Sequence, residues 1–258
     1  MRERAAINKT AWEYRAYEFW NQRDGSPPEK AAAIKADPSA RLDLHRKYFE
    51  NIQGKKIANP CGSNGRKAVP LALLGADVTV FDISEENRRY ALELAKEAGV
   101  EIQFVLGDFC ETDIAQYGDS FDIVYAEGGI LHYFSDIDAF TKMLYSITKP
   151  NGQLILNDFH PYKKINPTGS EMMSSAAQTG GDYFDTQMYY GPGAAYHSFF
   201  PQDEQHLFPK TILRHYNLSE IINSVIASGF VIKEFLEHPN YEDKKLPGLF
   251  TIVAYKEK

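Results

Sequence analysis

The sequence predicts an α/β fold built on a mainly parallel sheet, and three patterns point to it. From residue 55 onward, short apolar segments alternate with amphipathic segments, as in successive βαβ units. The segment 84–99 has the capping residues and the apolar stripe of a surface helix. The strand-like segments 230–238 and 249–256 are joined by a connection too short for a crossover helix, so this last pair is expected to be antiparallel.

The residues before this alternation form a distinct N-terminal segment. Residues 1–53 have a polar, helical pattern, with aromatic side chains concentrated in 11–20 and a helix-breaking Gly and Pro cluster at 25–30. We therefore expect a helical unit at 1–53 followed by the main domain at 54–258.

The main domain is expected to alternate strands and helices in a regular order. The predicted strands are 55–59, 77–82, 101–106, 121–127 and 152–158, and the predicted helices are 66–75, 84–99 and 137–147. In the helix 84–99, Ser84 suits the N-cap, Glu85 and Glu86 suit the first turn, and Gly99 suits the end. A further helix is expected at 218–230, before the two final strands.

Residues 160–212 interrupt this order with many glycine, proline and aromatic residues. A connection of that length without structure is uncommon in a domain unless it has a function. Because it follows the fifth strand, we expect an aromatic-rich cap over the ligand-binding edge of the sheet. A dimerisation or packing element is the alternative.

Composition excludes several classes of protein. The formal net charge is −7, so a phosphate backbone would be repelled and a nucleic-acid binder is not expected. Cys61 and Cys110 are the only cysteines, which fits a reducing, cytoplasmic location, and the histidines have no metal-ligand spacing, so no metal site is predicted. No apolar run is long enough for a membrane span, and no signal peptide is predicted.

The candidate site residues follow the carboxyl ends of the predicted strands, where open α/β sheets bind ligands. After the first strand, the small residues of the turn 59–65 allow a ligand close to the backbone. Asp82 ends the second strand and could accept both hydroxyls of a ribose, while Asp108 after the third strand could accept an adenine amino group. A glycine turn, helix, strand and acid in this order is typical of a nucleoside-binding half. A tight turn without a ligand and a helix-capping role for Asp82 remain the simpler alternatives.

These segments resemble the class I S-adenosylmethionine-dependent methyltransferases. The resemblance lies in residues 55–84, in the GDF at 107–109, in FDIVYAEGGILHYF at 121–134 and in KPNGQLILNDFHP at 149–161. The segments 214–239 and 249–256 are similar to the last helix and strand pair of members that act on small molecules. The resemblance implies a Rossmann-like, seven-stranded mixed sheet whose last strand is antiparallel, with helices on both faces.

The resemblance also implies a set of cofactor contacts. The turn would accommodate the methionine part, Asp82 the ribose and Asp108 the adenine, with Ile83 and Phe109 beside the base. The segment after the fourth strand would line the methyl-transfer site. The implied cofactor-binding residues are Tyr17, Asn59, Cys61, Gly62, Ser63, Gly65, Asp82, Ile83, Asp108, Phe109, Glu127 and Gly128.

The turn after the first strand departs from the family pattern. Asn59 stands where the family has an acid, and Cys61 and Ser63 stand where it has the first two alternating glycines. Gly65 matches the third glycine, and Gly62 lies within the turn. Two side chains and a lost carboxylate could reshape the methionine pocket, which leaves a catalytically silent S-adenosylmethionine-binding relative as an alternative.

The N-terminal aromatic residues fit the lid that many small-molecule members place over the cofactor. Trp12, Tyr14, Tyr17 and Trp20 could stack against a sulfonium through cation–π attraction. An ordinary amphipathic helix packed on the domain is the alternative.

The predicted activity is methyl transfer from S-adenosyl-L-methionine to a small-molecule acceptor, by a monomer or a homodimer that binds neither nucleic acid nor membrane. The candidate general bases are His132, His160 and Glu127, with His132 preferred, because all three follow strand ends. A dinucleotide-dependent oxidoreductase shares the glycine turn and ribose acid, but the chain has no G-x-G-x-x-G and that fold lacks the terminal antiparallel pair.

Overall fold

The computed structural model describes residues 2–165 and 182–258. Its strands are β1 (Lys56–Pro60), β2 (Asp77–Asp82), β3 (Gln103–Leu106), β4 (Phe121–Glu127), β5 (Thr148–Phe159), β6 (Met188–Gly191), β7 (Thr211–Arg214), β8 (Val231–Pro239) and β9 (Pro247–Tyr255). Its helices are α1 (Arg2–Glu13), α2 (Ala16–Asp24), α3 (Pro27–Ala36), α4 (Ala68–Leu73), α5 (Glu85–Ala98), α6 (Ile114–Tyr117), α7 (Ile137–Ile147) and α8 (Leu218–Ala227).

Seven of the strands form one mixed sheet, in the order β3-β2-β1-β4-β5-β9-β8. The pairs within the first five strands are parallel, and β9 is antiparallel to both β5 and β8. This topology confirms the predicted Rossmann-like sheet with its antiparallel last strand. The strand order reverses between β1 and β4, so the carboxyl ends of β1 and β4 face a crevice of the kind that binds ligands.

The helix that follows β2 shows how closely local sequence sets the element bounds. In α5 the Ser84 hydroxyl accepts the N–H of Asn87 at 3.2 Å, and Gly99 ends the helix in the left-handed conformation with φ +78°. Tyr90, Ala91 and Leu94 are buried along one face. This face packs against α2 and α3 and holds the N-terminal segment on the domain.

The N-terminal segment is helical but broken. Arg15 has φ +57°, which separates α1 from α2, and a 3₁₀ stretch covers Pro38–Phe49 after α3. Phe19 and Trp20 of α2 are buried in one apolar cluster with Tyr196 and Phe208 of the insertion. We call α1 and α2 the lid, because they lie over the carboxyl edge of the sheet. No helix in the described ranges combines the length and apolar character needed to cross a membrane.

The described part of the insertion contributes a small sheet and three short 3₁₀ turns. Strands β6 and β7 pair antiparallel, and the turns cover Pro161–Lys164, His197–Phe199 and Gln205–Leu207. Residues 166–181 of the predicted cap 160–212 lie outside the described residues.

The lid and the insertion are joined by hydrogen bonds between their backbones and buried side chains. Asn8 of the lid accepts the N–H of Ile212 at 2.8 Å and donates to its carbonyl at 3.0 Å. The hydroxyl of Tyr196 donates to the carbonyls of Ala11 and Tyr14, at 3.2 and 2.8 Å. The two aromatic segments therefore form one continuous cover.

Candidate methyl-transfer site

One cavity of about 460 Å³ lies between the carboxyl edge of the sheet and the aromatic cover. Residues after β1, β2, β3 and β4 form its floor, and the lid and the insertion form its roof. Nine of the predicted cofactor residues line it: Cys61, Gly62, Ser63, Asp82, Ile83, Asp108, Phe109, Glu127 and Gly128. A volume in this range is typical of small-molecule and cofactor sites.

The turn after β1 keeps a glycine-like backbone although two of its glycine positions are substituted. Cys61, Ser63 and Gly65 have φ of +54°, +51° and +77°. The left-handed region costs an L-residue about 1–2 kcal/mol, so Cys61 and Ser63 occupy strained positions. Gly62 cannot be replaced without a clash, because a Cβ there would lie 2.4 Å from the Asn59 side-chain oxygen.

Ser63 provides a test of whether this turn suits a polar ligand. Its hydroxyl oxygen is buried and has no hydrogen-bond partner among the described residues, while the residue lines the cavity. Buried polar atoms are normally paired. An amino-acid moiety, with an ammonium and a carboxylate, would supply the missing partner, so the turn fits the methionine part of the cofactor.

Asp82 is held in place by three donors. Its Oδ2 accepts the N–H of Ser63 at 3.0 Å, and its Oδ1 accepts the N–H of Ser84 at 3.0 Å and the amide of Asn87 at 3.1 Å. Burial raises the pKa of this carboxyl, and hydrogen bonds from Ser84, Asn87, Ser63 and the Ile83 backbone oppose that rise. Because a carboxylate offers about four acceptor sites, Asp82 keeps acceptor capacity for a ligand hydroxyl, mainly on Oδ2.

Asp108 and Phe109 form the neighbouring wall. The Asp108 carboxylate caps the short 3₁₀ turn Phe109–Glu111 by accepting the N–H of Cys110 at 3.0 Å. That bond uses only one carboxylate oxygen. The ring of Phe109 is buried between Phe81 and Phe140, each with centroids at 5.6 Å. An acid beside an apolar ring suits a heterocycle with an exocyclic amino group.

Glu127 ends β4 and pairs with a cation that the sequence did not reveal. Its Oε1 lies 3.4 Å from Nη2 of Arg66, and Glu127 is the main cause of the raised pKa of Arg66. Gly128 leaves space for this guanidinium, since a Cβ there would lie 2.9 Å from the same nitrogen. The Glu127 carboxylate and the Arg66 guanidinium therefore form an ion pair at the cavity wall.

Three predicted cofactor residues do not line the cavity. The Tyr17 ring contacts Tyr90 at 5.7 Å and its hydroxyl bonds to Glu93, because the break at Arg15 turns it toward α5. Asn59 lies beneath the turn, where its amide donates to the Tyr125 carbonyl at 2.8 Å. Gly65 packs on α5, where a Cβ would lie 3.0 Å from Ala91. These residues support the site from outside.

The two candidate histidines lie in a separate, smaller cavity. His132 and His160 line a space of about 30 Å³ together with Asp158 and His215. Phe159 lines both cavities, and its ring stacks on His132 at 6.3 Å. The 3₁₀ turn Leu131–Tyr133 rotates consecutive side chains by about 120°. That rotation turns Tyr133 into the main cavity and His132 away from it.

The remaining walls of the main cavity are aromatic. Trp12 meets Tyr133 at 5.6 Å and Tyr196 at 5.5 Å, both edge-to-face, and Phe19 meets Phe199 at 5.1 Å. Burial raises the pKa of the Tyr133 phenol, so the group stays protonated at neutral pH and can donate a hydrogen bond. The sequence carries no signal for Tyr133 at the cavity, because aromatic residues in apolar segments usually indicate core.

The structure is an α/β fold with a seven-stranded mixed sheet and a cavity at the carboxyl edge of that sheet. Residues 60–156 match the family model of a methyltransferase domain. Over 225 residues the chain is 26% identical to the uncharacterized methyltransferase YbaJ of Bacillus subtilis (strain 168), covering 83% of this chain and 77% of that protein. It is 29% identical over 143 residues to a ubiquinone biosynthesis O-methyltransferase of Rickettsia conorii, spanning 52% of this chain and 47% of that protein.

Solved structures of methyltransferases share this fold. A putative S-adenosylmethionine-dependent methyltransferase from Listeria monocytogenes superposes with a TM-score of 0.60 at 19% identity, over 88% of this chain and all of that one. Magnesium protoporphyrin IX methyltransferase from Synechocystis PCC 6803 superposes with a TM-score of 0.59 at 16% identity, over 98% of this chain and 97% of that one. Residues 60–156 thus match a methyltransferase domain, and the chain shares the fold of S-adenosylmethionine-dependent methyltransferases, in agreement with the resemblance that the sequence indicates.

Proposed function

We propose that the protein transfers the methyl group of S-adenosyl-L-methionine to a small, aromatic or otherwise planar acceptor. The observation that carries the proposal is the cavity in which the carboxyl ends of β1 to β4 meet an aromatic roof. The donor's sulfonium supplies an activated methyl group, so the protein's task is to align the acceptor and exclude water.

Each part of the floor has a proposed partner in the cofactor. We propose that Asp82 accepts a ribose hydroxyl and that Asp108 accepts the adenine amino group, with Ile83 and Phe109 against the base. The turn 61–65 would hold the methionine part, because the buried Ser63 hydroxyl there has no partner in the part of the chain that the structure describes. Glu127 and Gly128 would lie beside the reacting methyl group.

The aromatic walls support a small acceptor over a macromolecular one. Trp12, Tyr133, Tyr196 and Phe159 line the cavity, and flat apolar faces suit a planar ring. The net charge of −7 argues against an RNA or DNA substrate. A relative named as a ubiquinone biosynthesis O-methyltransferase is consistent with the proposal of such an acceptor.

We propose that loss of the proton from the nucleophilic atom depends on the acidity of the acceptor more than on a histidine base. His132 and His160 line the smaller cavity, and Glu127 is paired with Arg66. We propose that the Tyr133 hydroxyl donates a hydrogen bond to the acceptor and orients its nucleophilic atom. An acceptor that ionises readily would then need little help from a protein base.

The proposal is tested first by titration with S-adenosylhomocysteine. The wild-type protein should bind it at micromolar or lower concentration. Asp82→Ala should weaken binding about 10- to 100-fold, because hydrogen bonds to charged groups contribute about 1.5–3 kcal/mol. Asp77→Ala is the matched control, since Asp77 is an exposed acid at the other end of β2. Equal affinity of wild type and Asp82→Ala would contradict the proposed ribose contact.

Turnover is tested with a panel of small phenols, thiols and amines, following the formation of S-adenosylhomocysteine. Methylation of aromatic members, with Asp82→Ala inactive at limiting cofactor, would support the proposal. Methylation of RNA or protein in place of every small acceptor would contradict it. Size-exclusion chromatography of the same samples distinguishes the monomer from the homodimer.

A further inference from the structure

A buried amide connects the lid to the acid proposed to hold the ribose. Asn87 lies in the first turn of α5 and is 1% exposed. Its amide nitrogen donates to Asp82 Oδ1 at 3.1 Å, and its amide oxygen accepts the indole N–H of Trp20 at 2.7 Å. An indole can only donate and a carboxylate can only accept, so this arrangement has one possible amide orientation.

Both ends of this connection reach the main cavity. Trp20 belongs to helix α2 of the lid and is 5% exposed, and Asp82 lies at the end of β2. Both residues line the cavity, as does Asn87 itself. A second bond joins the lid to the same segment, because the Ser84 hydroxyl donates to the Trp12 carbonyl at 2.9 Å.

We infer that Asn87 is a positioning residue that couples the lid to the ribose acid, so that lid docking and cofactor binding strengthen each other. The inference rests on the proposed function of Asp82. Asn87 supplies one of the three donors that place the Asp82 carboxylate, and Trp20 holds Asn87 in the orientation that donates. Thermodynamic linkage requires the coupling to be reciprocal. If docking of the lid increases cofactor affinity, cofactor binding stabilises the docked lid by the same free energy.

The chain offers a matched control for this connection. The Tyr90 hydroxyl of α5 donates to the Gly25 carbonyl at the end of α2, at 2.7 Å. This bond joins the same two helices at the same length as the Trp20–Asn87 bond, but Tyr90 does not line the cavity. Tyr90→Phe removes the hydroxyl donor and Trp20→Phe removes the indole N–H donor, and both substitutions keep an aromatic ring.

The test is the affinity of the full chain for S-adenosylhomocysteine, measured by calorimetry. Trp20→Phe and Asn87→Leu should each weaken binding about tenfold, the loss expected for one buried hydrogen bond. Tyr90→Phe should change it less than about twofold. In the double variant the two losses should not add, because both changes break the same connection.

Hydrogen exchange distinguishes coupling through Asn87 from a purely structural role of this residue. Saturating S-adenosylhomocysteine should slow exchange of the α2 amides in the wild type, and this protection should be lost in Trp20→Phe. Should Asn87→Leu not fold, Trp20→Phe still decides the question. Equal weakening by Tyr90→Phe, additive losses, or no ligand-dependent protection of α2 each overturns the coupling. Failure of the wild type to bind S-adenosylhomocysteine would instead contradict the proposed function.

Discussion

Asp158 offers a prediction in which the pH dependence of stability tests the electrostatics of the loop beside the site. Its carboxylate is 3% exposed and accepts the backbone N–H groups of Ile130 and Leu131, at 2.9 and 2.7 Å. It thereby holds the segment that carries Tyr133. Burial raises the pKa of Asp158 to about 6, although the backbone donors oppose the rise.

The sign of the effect follows from proton binding. The folded protein holds this proton more tightly than the unfolded chain, in which the pKa of an aspartate is about 3.9. Between about pH 4 and pH 6 the folded state therefore carries the additional proton. The free energy of unfolding must fall as the pH rises through this window. A shift of about two units corresponds to about 3 kcal/mol, all of it lost above pH 6.

The assay is urea unfolding of the wild type and of Asp158→Asn from pH 4 to pH 7.5. Only the difference between the two proteins is interpreted, because other groups titrate in the same range. Burial lowers the pKa of His132 to about 3, for example, which adds stability as the pH rises. The wild type should lose about 2 kcal/mol relative to Asp158→Asn between pH 4 and pH 7, because part of the total change falls below pH 4. A difference that stays constant across this range would refute the reasoning.

Three further substitutions test the turn and the aromatic wall. Gly62→Ala places a Cβ 2.4 Å from the Asn59 oxygen and should cost about 1–3 kcal/mol, seen as a lower thermal midpoint; an unchanged midpoint would contradict the clash. Ser63→Gly relieves a φ of +51° and should raise the free energy of unfolding by up to about 1 kcal/mol while weakening S-adenosylhomocysteine binding. Urea unfolding and calorimetry measure the two effects, and a less stable variant would show that the position is not strained. Tyr133→Phe should lower kcat about tenfold with little change in S-adenosylhomocysteine affinity; equal losses in both would place Tyr133 at the cofactor instead.

The sheet and the floor of the site were predictable because they depend on local patterns. The alternation of segments and the terminal antiparallel pair predict the topology, and Asp82 and Asp108 follow directly from the strand ends. Parallel strands place their carboxyl ends at one edge, so residues distant in sequence meet there without further information.

The direction of side chains outside the sheet was not predictable. The left-handed conformation of Arg15 interrupts the helical periodicity between α1 and α2. Tyr17 therefore faces α5, while Trp12 and Trp20 face the cavity. A single 3₁₀ turn separates His132 from Tyr133 in the same way. Arg66 shows a third limit, because its partner Glu127 lies 61 residues further along the chain. Sequence periodicity carries no signal for such a pair.

The two bonds between Asn8 and Ile212 also have a kinetic consequence. They join backbone and side-chain groups that lie 204 residues apart in the sequence. The roof of the cavity therefore depends on contacts between distant parts of the chain. Closing a loop of that size is entropically costly and delays folding more than it reduces final stability. During synthesis, the first helices must wait until residue 212 has emerged before they can take their place. We therefore expect ligand binding to appear as a late event in refolding, after the sheet has formed.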